Sequence, residues 1–216
     1  MATENLKKLF VEELKDIYSG ESQIIKALPK LARAAHSDEL RDALEEHLDA
    51  TKQHKERLEQ IFEDLGIPAK PKTCEGIKGI ITEGDKAVED ASEKVIDACI
   101  IAAAQKVEHY EMATYGTLRT WAQLLGEDKA ATLLEQTLEE ERSADEALTQ
   151  LAESFANAEA ESGEGAEEEE SEEGPAEIGL DESGEEQEEE VGSRGRGRPK
   201  GKTTAASRRR DRGVKA

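Results

Sequence analysis

Aromatic residues make up only 3% of the chain, and valine, isoleucine and threonine do not form alternating runs bounded by turns, so β-strands have little support. Cysteine is nearly absent. Cys74 and Cys99 form no disulfide framework and no zinc-ligand spacing, and both are expected to be ordinary reduced thiols. No apolar run is long enough to span a bilayer. The opening MATENLKKLFVEEL is amphipathic, with both charge signs and none of the apolar core of a signal peptide. A cytosolic protein with no membrane partner is expected.

Charge is just as unevenly distributed. Residues 156 to 193 carry seventeen Asp and Glu and no Lys or Arg, whereas 194 to 216 carry ten Lys and Arg against one Asp. Up to Phe155 apolar and charged residues alternate at helical spacing, with 33 acidic against 19 basic groups; large apolar side chains are almost absent thereafter. Three regions are therefore expected: a helical bundle over 1–156, an acidic linker over 157–193 too polar to fold, and a basic tail over 194–216.

In the bundle region the apolar residues step by three and four, the mark of one helix face. A first helix is expected from a cap at Thr3 to about Ala35, with the core line Phe10, Leu14, Ile17, Glu21, Ile24, Leu28, Leu31. A second is expected from Asp38 to Leu65, with Leu40, Leu44, His47, Thr51, His54, Leu58 and Ile61 facing inward. After a crossover containing a short helix, a third runs from about Ser92 to Leu125. Its start is apolar on every side, and its face Ile101, Ala104, Glu108, Glu111, Tyr115, Leu118 contains two carboxylates. A fourth, from about Lys129 to Ala156, has the line Leu134, Leu138, Glu141, Asp145, Leu148. The fold class is all-α, with the crossover joining two helix pairs.

Each helix thus has acids or imidazoles halfway along its apolar stripe, and Arg and Lys are nearly absent from those stripes. Ionised carboxylates in an apolar core must be protonated, paired or bound to a cation. Carboxylates with one or two imidazoles from facing helices suit iron or manganese, and two ions about 3.5–4 Å apart can share such ligands. The candidate ligands are Glu21, His47, His54, Glu108, Glu111, Glu141 and Asp145, and the expected cofactor is two iron or manganese ions. Tyr18 and Tyr115 lie one turn from these acids, within reach in principle of a metal-bound oxygen species. Both are read first as packing residues with their hydroxyls at the bundle edge, and His109 as structural.

The segments LKDIYSGESQIIKALPKLA at 14–32, EEHLDATKQHKERLEQIF at 45–62, IAAAQKVEHYEMATYGTL at 101–118 and KAATLLEQTLEEERSAD at 129–145 resemble the YciF-type ferritin-like stress proteins. The resemblance implies a ferritin-like four-helix bundle, a dimer and a di-iron-type centre. Within that centre, Glu108 and Glu111 would match the Glu-x-x-Glu of helix three, Glu21 the lone acid of helix one, and Glu141 the acid of helix four. Two positions depart from the pattern. Where the family usually reads HLEET, this chain reads His47-Leu48-Asp49-Ala50-Thr51, and helix four has no Glu-x-x-His.

In the tail, Arg194-Gly195-Arg196-Gly197-Arg198-Pro199-Lys200-Gly201-Lys202 resembles an AT-hook, and Arg208, Arg209 and Arg210 follow it. An extended Arg-Gly-Arg-Pro backbone fits the narrow, strongly negative minor groove of A·T-rich DNA, with flanking cations on phosphates. A basic tail folding back on the acidic linker is the alternative. Three functions follow as expectations: stress-defence metal chemistry on Fe(II) or peroxide near the nucleoid, a DNA-binding protein whose bundle presents basic tails, or a metal store without turnover.

Overall fold

The computed structural model describes residues 5–164; the Thr3 cap, the basic tail and the linker beyond Glu164 lie outside them. The helices are α1 (Leu6–Ala34), α2 (Asp38–Asp64), α3 (Glu75–Asp90), α4 (Ile96–Leu125) and α5 (Asp128–Leu151), and no strand occurs among the described residues. Short turns make hairpins of α1 with α2 and of α4 with α5, and the two hairpins pack together as a ferritin-like four-helix bundle. The crossover α3 lies against α4 and α1.

The ends of the helices follow from local chemistry. Asn5 caps α1 by accepting the Lys8 amide at 2.9 Å, and Ser37 caps α2 through the Leu40 amide at 3.0 Å. The α1–α2 turn is anchored from outside: Asp97, in the first turn of α4, accepts the His36 and Ser37 amides at 2.7 and 2.8 Å. Gly66 and Gly126 end α2 and α4 at φ values of 66° and 74°, a left-handed backbone that glycine adopts without steric cost. The third long helix starts at Ile96 rather than at Ser92, because Ser92 closes a turn by accepting the Val95 amide at 3.1 Å.

The expected boundary at Ala156 also moves. α5 passes through a five-residue π turn (Ala152–Ala156) into a further helix, α6 (Asn157–Glu164), so the first eight residues assigned to the linker are helical. No glycine or proline interrupts the chain between Gly126 and Gly163, and Phe155 and Ala156 pack on the core, so nothing stops the helix at that point. Both cysteines are free, and Cys74 is buried where it caps α3.

The buried apolar residues form two clusters. Ile24, Leu28, Leu40, Leu44, Ile100, Ile101 and Leu148 fill one end of the bundle; Phe10, Leu14, Ile17, Leu58, Leu118, Leu134 and Leu138 fill the other. Between them, in the middle of all four long helices, lie Glu21, Thr51, His54, Glu108, Glu111 and Glu141, each no more than 2% exposed. This polar layer is the feature to be explained.

Candidate metal centre

The layer is assembled by helix periodicity. Glu108 and Glu111 are three residues apart on α4, His47 and His54 are seven apart on α2, and both spacings return to the same face. His47, Glu108, Glu111 and Glu141 bring one ligand atom each to within 4.8 Å of one another. Glu21, His54 and Glu141 make a second such group, so Glu141 belongs to both.

The contacts inside these groups are close but not aligned as hydrogen bonds. His47 Nε2 lies 3.2 Å from Glu108 Oε1, and His54 Nδ1 lies 2.9 Å from Glu141 Oε1 and 3.9 Å from Glu21 Oε1. Nine buried side-chain atoms have no hydrogen-bond partner among the described residues, and all but Arg119 Nε are in this layer: Glu21 Oε2, His47 Nε2, His54 Nδ1, Glu108 Oε2, and both carboxylate oxygens of Glu111 and of Glu141. An interior ordinarily leaves very few polar atoms unpaired, so eight in one layer need a shared proton, an ordered water or a cation between them. Carboxylate and imidazole donors fit iron or manganese.

Without an ion the layer resists ionisation. Burial, reinforced by the neighbouring Glu141, pushes Glu21 up to about 8 against the opposing pull of His54. Burial also drives Glu111 and Glu141 well above the usual carboxylate range, seconded by Glu141 at the former and Glu108 at the latter. At His47 burial works to lower the basicity, but the Glu108 carboxylate beside it prevails and lifts the imidazole to about 9. At His54 burial wins over the pull of Glu21, and the imidazole falls below its ordinary value.

The surroundings hold the ligands in place. His54 Nε2 is 2.9 Å from Glu140 Oε2, and Arg57 forks onto Glu140 with 2.7 and 2.8 Å bonds while also donating to Thr137 Oγ1 at 3.2 Å. With Nε2–H donating to Glu140, the lone pair of His54 is on Nδ1, facing the carboxylates. The Tyr115 hydroxyl donates to Glu21 Oε1, and Tyr115 is fully buried.

Six of the seven residues proposed as ligands from the sequence therefore meet in this layer. Asp145 does not. Its Oδ1 accepts Gln105 Nε2 at 3.3 Å and lies 3.3 Å from the exposed His109, because four residues beyond Glu141 carry it about 6 Å along the helix and further round the face. Tyr115 is corrected as well, since its hydroxyl is in the core and not at the bundle edge. The Tyr18 hydroxyl is at the edge, bonded to Glu59 at 2.7 Å. Glu140 and Arg57 were missed: Glu140 precedes Glu141 just off the inward stripe, and Arg57 follows His54 by one turn. The available signal was Arg57 alone, a base one turn after the inward histidine, because Glu140 reaches His54 only from α5, 86 residues away. Asp49 is exposed and paired with Lys52 at 2.7 Å, so it does not replace the acid missing at Ala50.

The profile of the domain of unknown function DUF892 matches residues 5–161. Protein YciF of Escherichia coli K12 is 44% identical over 163 residues, which cover 74% of this chain and 98% of that protein. This chain belongs to the YciF-type DUF892 family. The solved structure of the E. coli stress protein YciF superposes with a TM-score of 0.68 at 44% identity, covering 72% of this chain and 99% of its own. YcfI of Rhodopseudomonas palustris gives 0.66 at 42% identity, covering 68% and 94%. A Xanthomonas campestris protein, at 22% identity and a TM-score of 0.61 over 74% and 99%, shares the fold. As a YciF-type chain the protein carries its polar layer inside a stress-protein family, and no described helix is long and apolar enough to cross a membrane.

Proposed function

We propose that this chain is a ferritin-like di-metal protein of stress defence, in which Glu21, His47, His54, Glu108, Glu111 and Glu141 hold two iron or manganese ions. The observation that carries the reading is the set of eight buried, unpartnered ligand atoms gathered into two groups that share Glu141. Such ions supply Lewis acidity and electron exchange suited to oxidising Fe(II) or decomposing hydrogen peroxide. The chain's own residues supply position. Glu141 joins the two groups, Glu140 and Arg57 orient His54, and Tyr115 fixes one oxygen of Glu21. The two apolar clusters close the layer at either end of the bundle.

The test is metal content by mass spectrometry on untagged protein, wild type against Glu108→Ala with Glu111→Ala. Near two ions per chain, lost in the variant while helicity persists, supports the reading. No metal above background after anaerobic loading with Fe(II) or Mn(II) refutes it. Loading without consumption of peroxide or oxygen would make the protein a metal store.

Homodimerisation, a cytoplasmic and nucleoid-associated location, and contact with A·T-rich DNA through Arg194–Lys202 and Arg208–Arg210 complete the proposal, and these rest on the sequence alone. Full-length chain should shift A·T-rich duplex in a salt-dependent manner, and a chain ending at residue 193 should not. Equal binding by both would remove the tail from the account.

A further inference from the structure

We infer that the gap between α2 and α5 at Ala50 is the portal through which a hydrated divalent cation reaches the layer, an inference that rests on the metal reading above. A cavity of about 280 Å³ lies between α2, α4 and α5. Its walls include Ala50, Ala144 and Ala147, whose small side chains leave the helices unsealed, and Glu46 stands exposed at its rim. Its floor includes His47 and Glu108. Just beneath that floor lie Glu108 Oε2 and His47 Nε2, two buried atoms that lack a hydrogen-bond partner.

Size separates this route from its competitor. A second cavity touching Glu108, between α1, α3 and α4, measures only about 30 Å³. There Gly84 packs so tightly that a Cβ on it would come within 3.0 Å of the Ala103 Cβ. A single water needs about 10–15 Å³ of such space, so the smaller cavity has room for two or three waters at most and the larger for several times as many. Tyr115 covers Glu21, and Glu140, which also lines the larger cavity, stands between it and His54 with Arg57 behind. A cation arriving at Ala50 therefore meets His47, Glu108 and Glu140 before the fully buried Glu21.

The test uses the metal-free full chain mixed with Co(II), whose visible absorption reports coordination by stopped flow. Ala50→Leu plugs the portal and Ala50→Ser keeps it open; Ala147→Leu, on the opposite wall, is the substitute if Ala50→Leu does not fold. The expected result is uptake slowed about tenfold or more by either leucine variant and within about twofold of wild type for Ala50→Ser, with final stoichiometry and helicity unchanged. Wild-type uptake rates in both leucine variants overturn the portal and leave the metal reading standing. Lost stoichiometry at an unchanged rate also overturns it, since Ala50 would then shape the ligands and not the path. If the wild type itself takes up no Co(II), both readings fall together.

Discussion

The two imidazoles of the polar layer come from one helix, two turns apart, yet their settings differ. His54 is 1% exposed, held through Nε2 by Glu140 and, behind it, by Arg57. His47 is 11% exposed, faces Glu108 and borders the cavity at Ala50. Burial keeps the first neutral and ready to bind a cation through Nδ1, whereas the carboxylate beside the second holds a proton on it up to about 9. The contrast teaches that, in the proposed centre, one half is preorganised and the other would exchange protons for metal.

The largest expected effect comes from the residue common to both halves. Glu141→Gln should abolish binding of both ions, while His47→Ala should leave one, as read by metal stoichiometry; retention of two ions in Glu141→Gln would dissolve the idea of a shared ligand. In metal-free protein the same Glu141→Gln change should raise the melting temperature, because it removes a buried acid from among others. Leu138→Ala, one turn away in the apolar cluster, should lower stability by about 2–5 kcal/mol. The opposite signs are what separate the layer from the core.

Next in size is Glu140→Gln, which weakens the carboxylate support of His54 and should lower metal affinity at that half by roughly 10–100-fold while the His47 half changes little. A uniform loss at both halves, measured by competition titration, would show that the support is not local.

Metal-free protein should also lose stability as pH rises. Glu21 moves from its ordinary carboxylate value to about 8 on folding, and His47 to about 9, so the folded state holds more protons than the unfolded state across this range. The contribution is complete below the unfolded-state values and is lost as pH climbs through about 8 and 9; His54, shifted downward, acts in the opposite sense. Thermal unfolding in chelator at pH 5.5 and pH 8 should show a drop of ~5 °C or more for a differential of about 2 kcal/mol, and saturating Mn(II) should abolish that drop. A rise with pH would invert the proton assignment.

The smallest effect is expected at Asp145. Asp145→Asn should leave metal content unchanged, since the side chain faces Gln105 and His109 outside the layer.

Much of this was legible from periodicity alone. Glu21, Glu108, Glu111 and Glu141 each interrupt a three-and-four apolar stripe, and a stripe fixes which way a side chain points. Asp145 lies outside the layer for a related reason: a sequence line gives the direction of a side chain but not the depth at which four helices bring their polar positions level. Arg57 and Glu140 were hidden because each sits just off its own stripe, and only the packing of α2 against α5 turns two edge residues into a pair behind His54.

The sequence by itself determined an all-helical bundle, its charged outer faces and the acids aimed inward, because those follow from local spacing and from the cost of leaving apolar surface in water. Only the tertiary structure decided which acids share a centre, that the Tyr115 hydroxyl is inside, that one imidazole is braced while the other borders a cavity, and that the helix continues past Ala156. Each of these depends on how far one helix slides along another, a quantity set by side-chain packing across the bundle and written in no single helix.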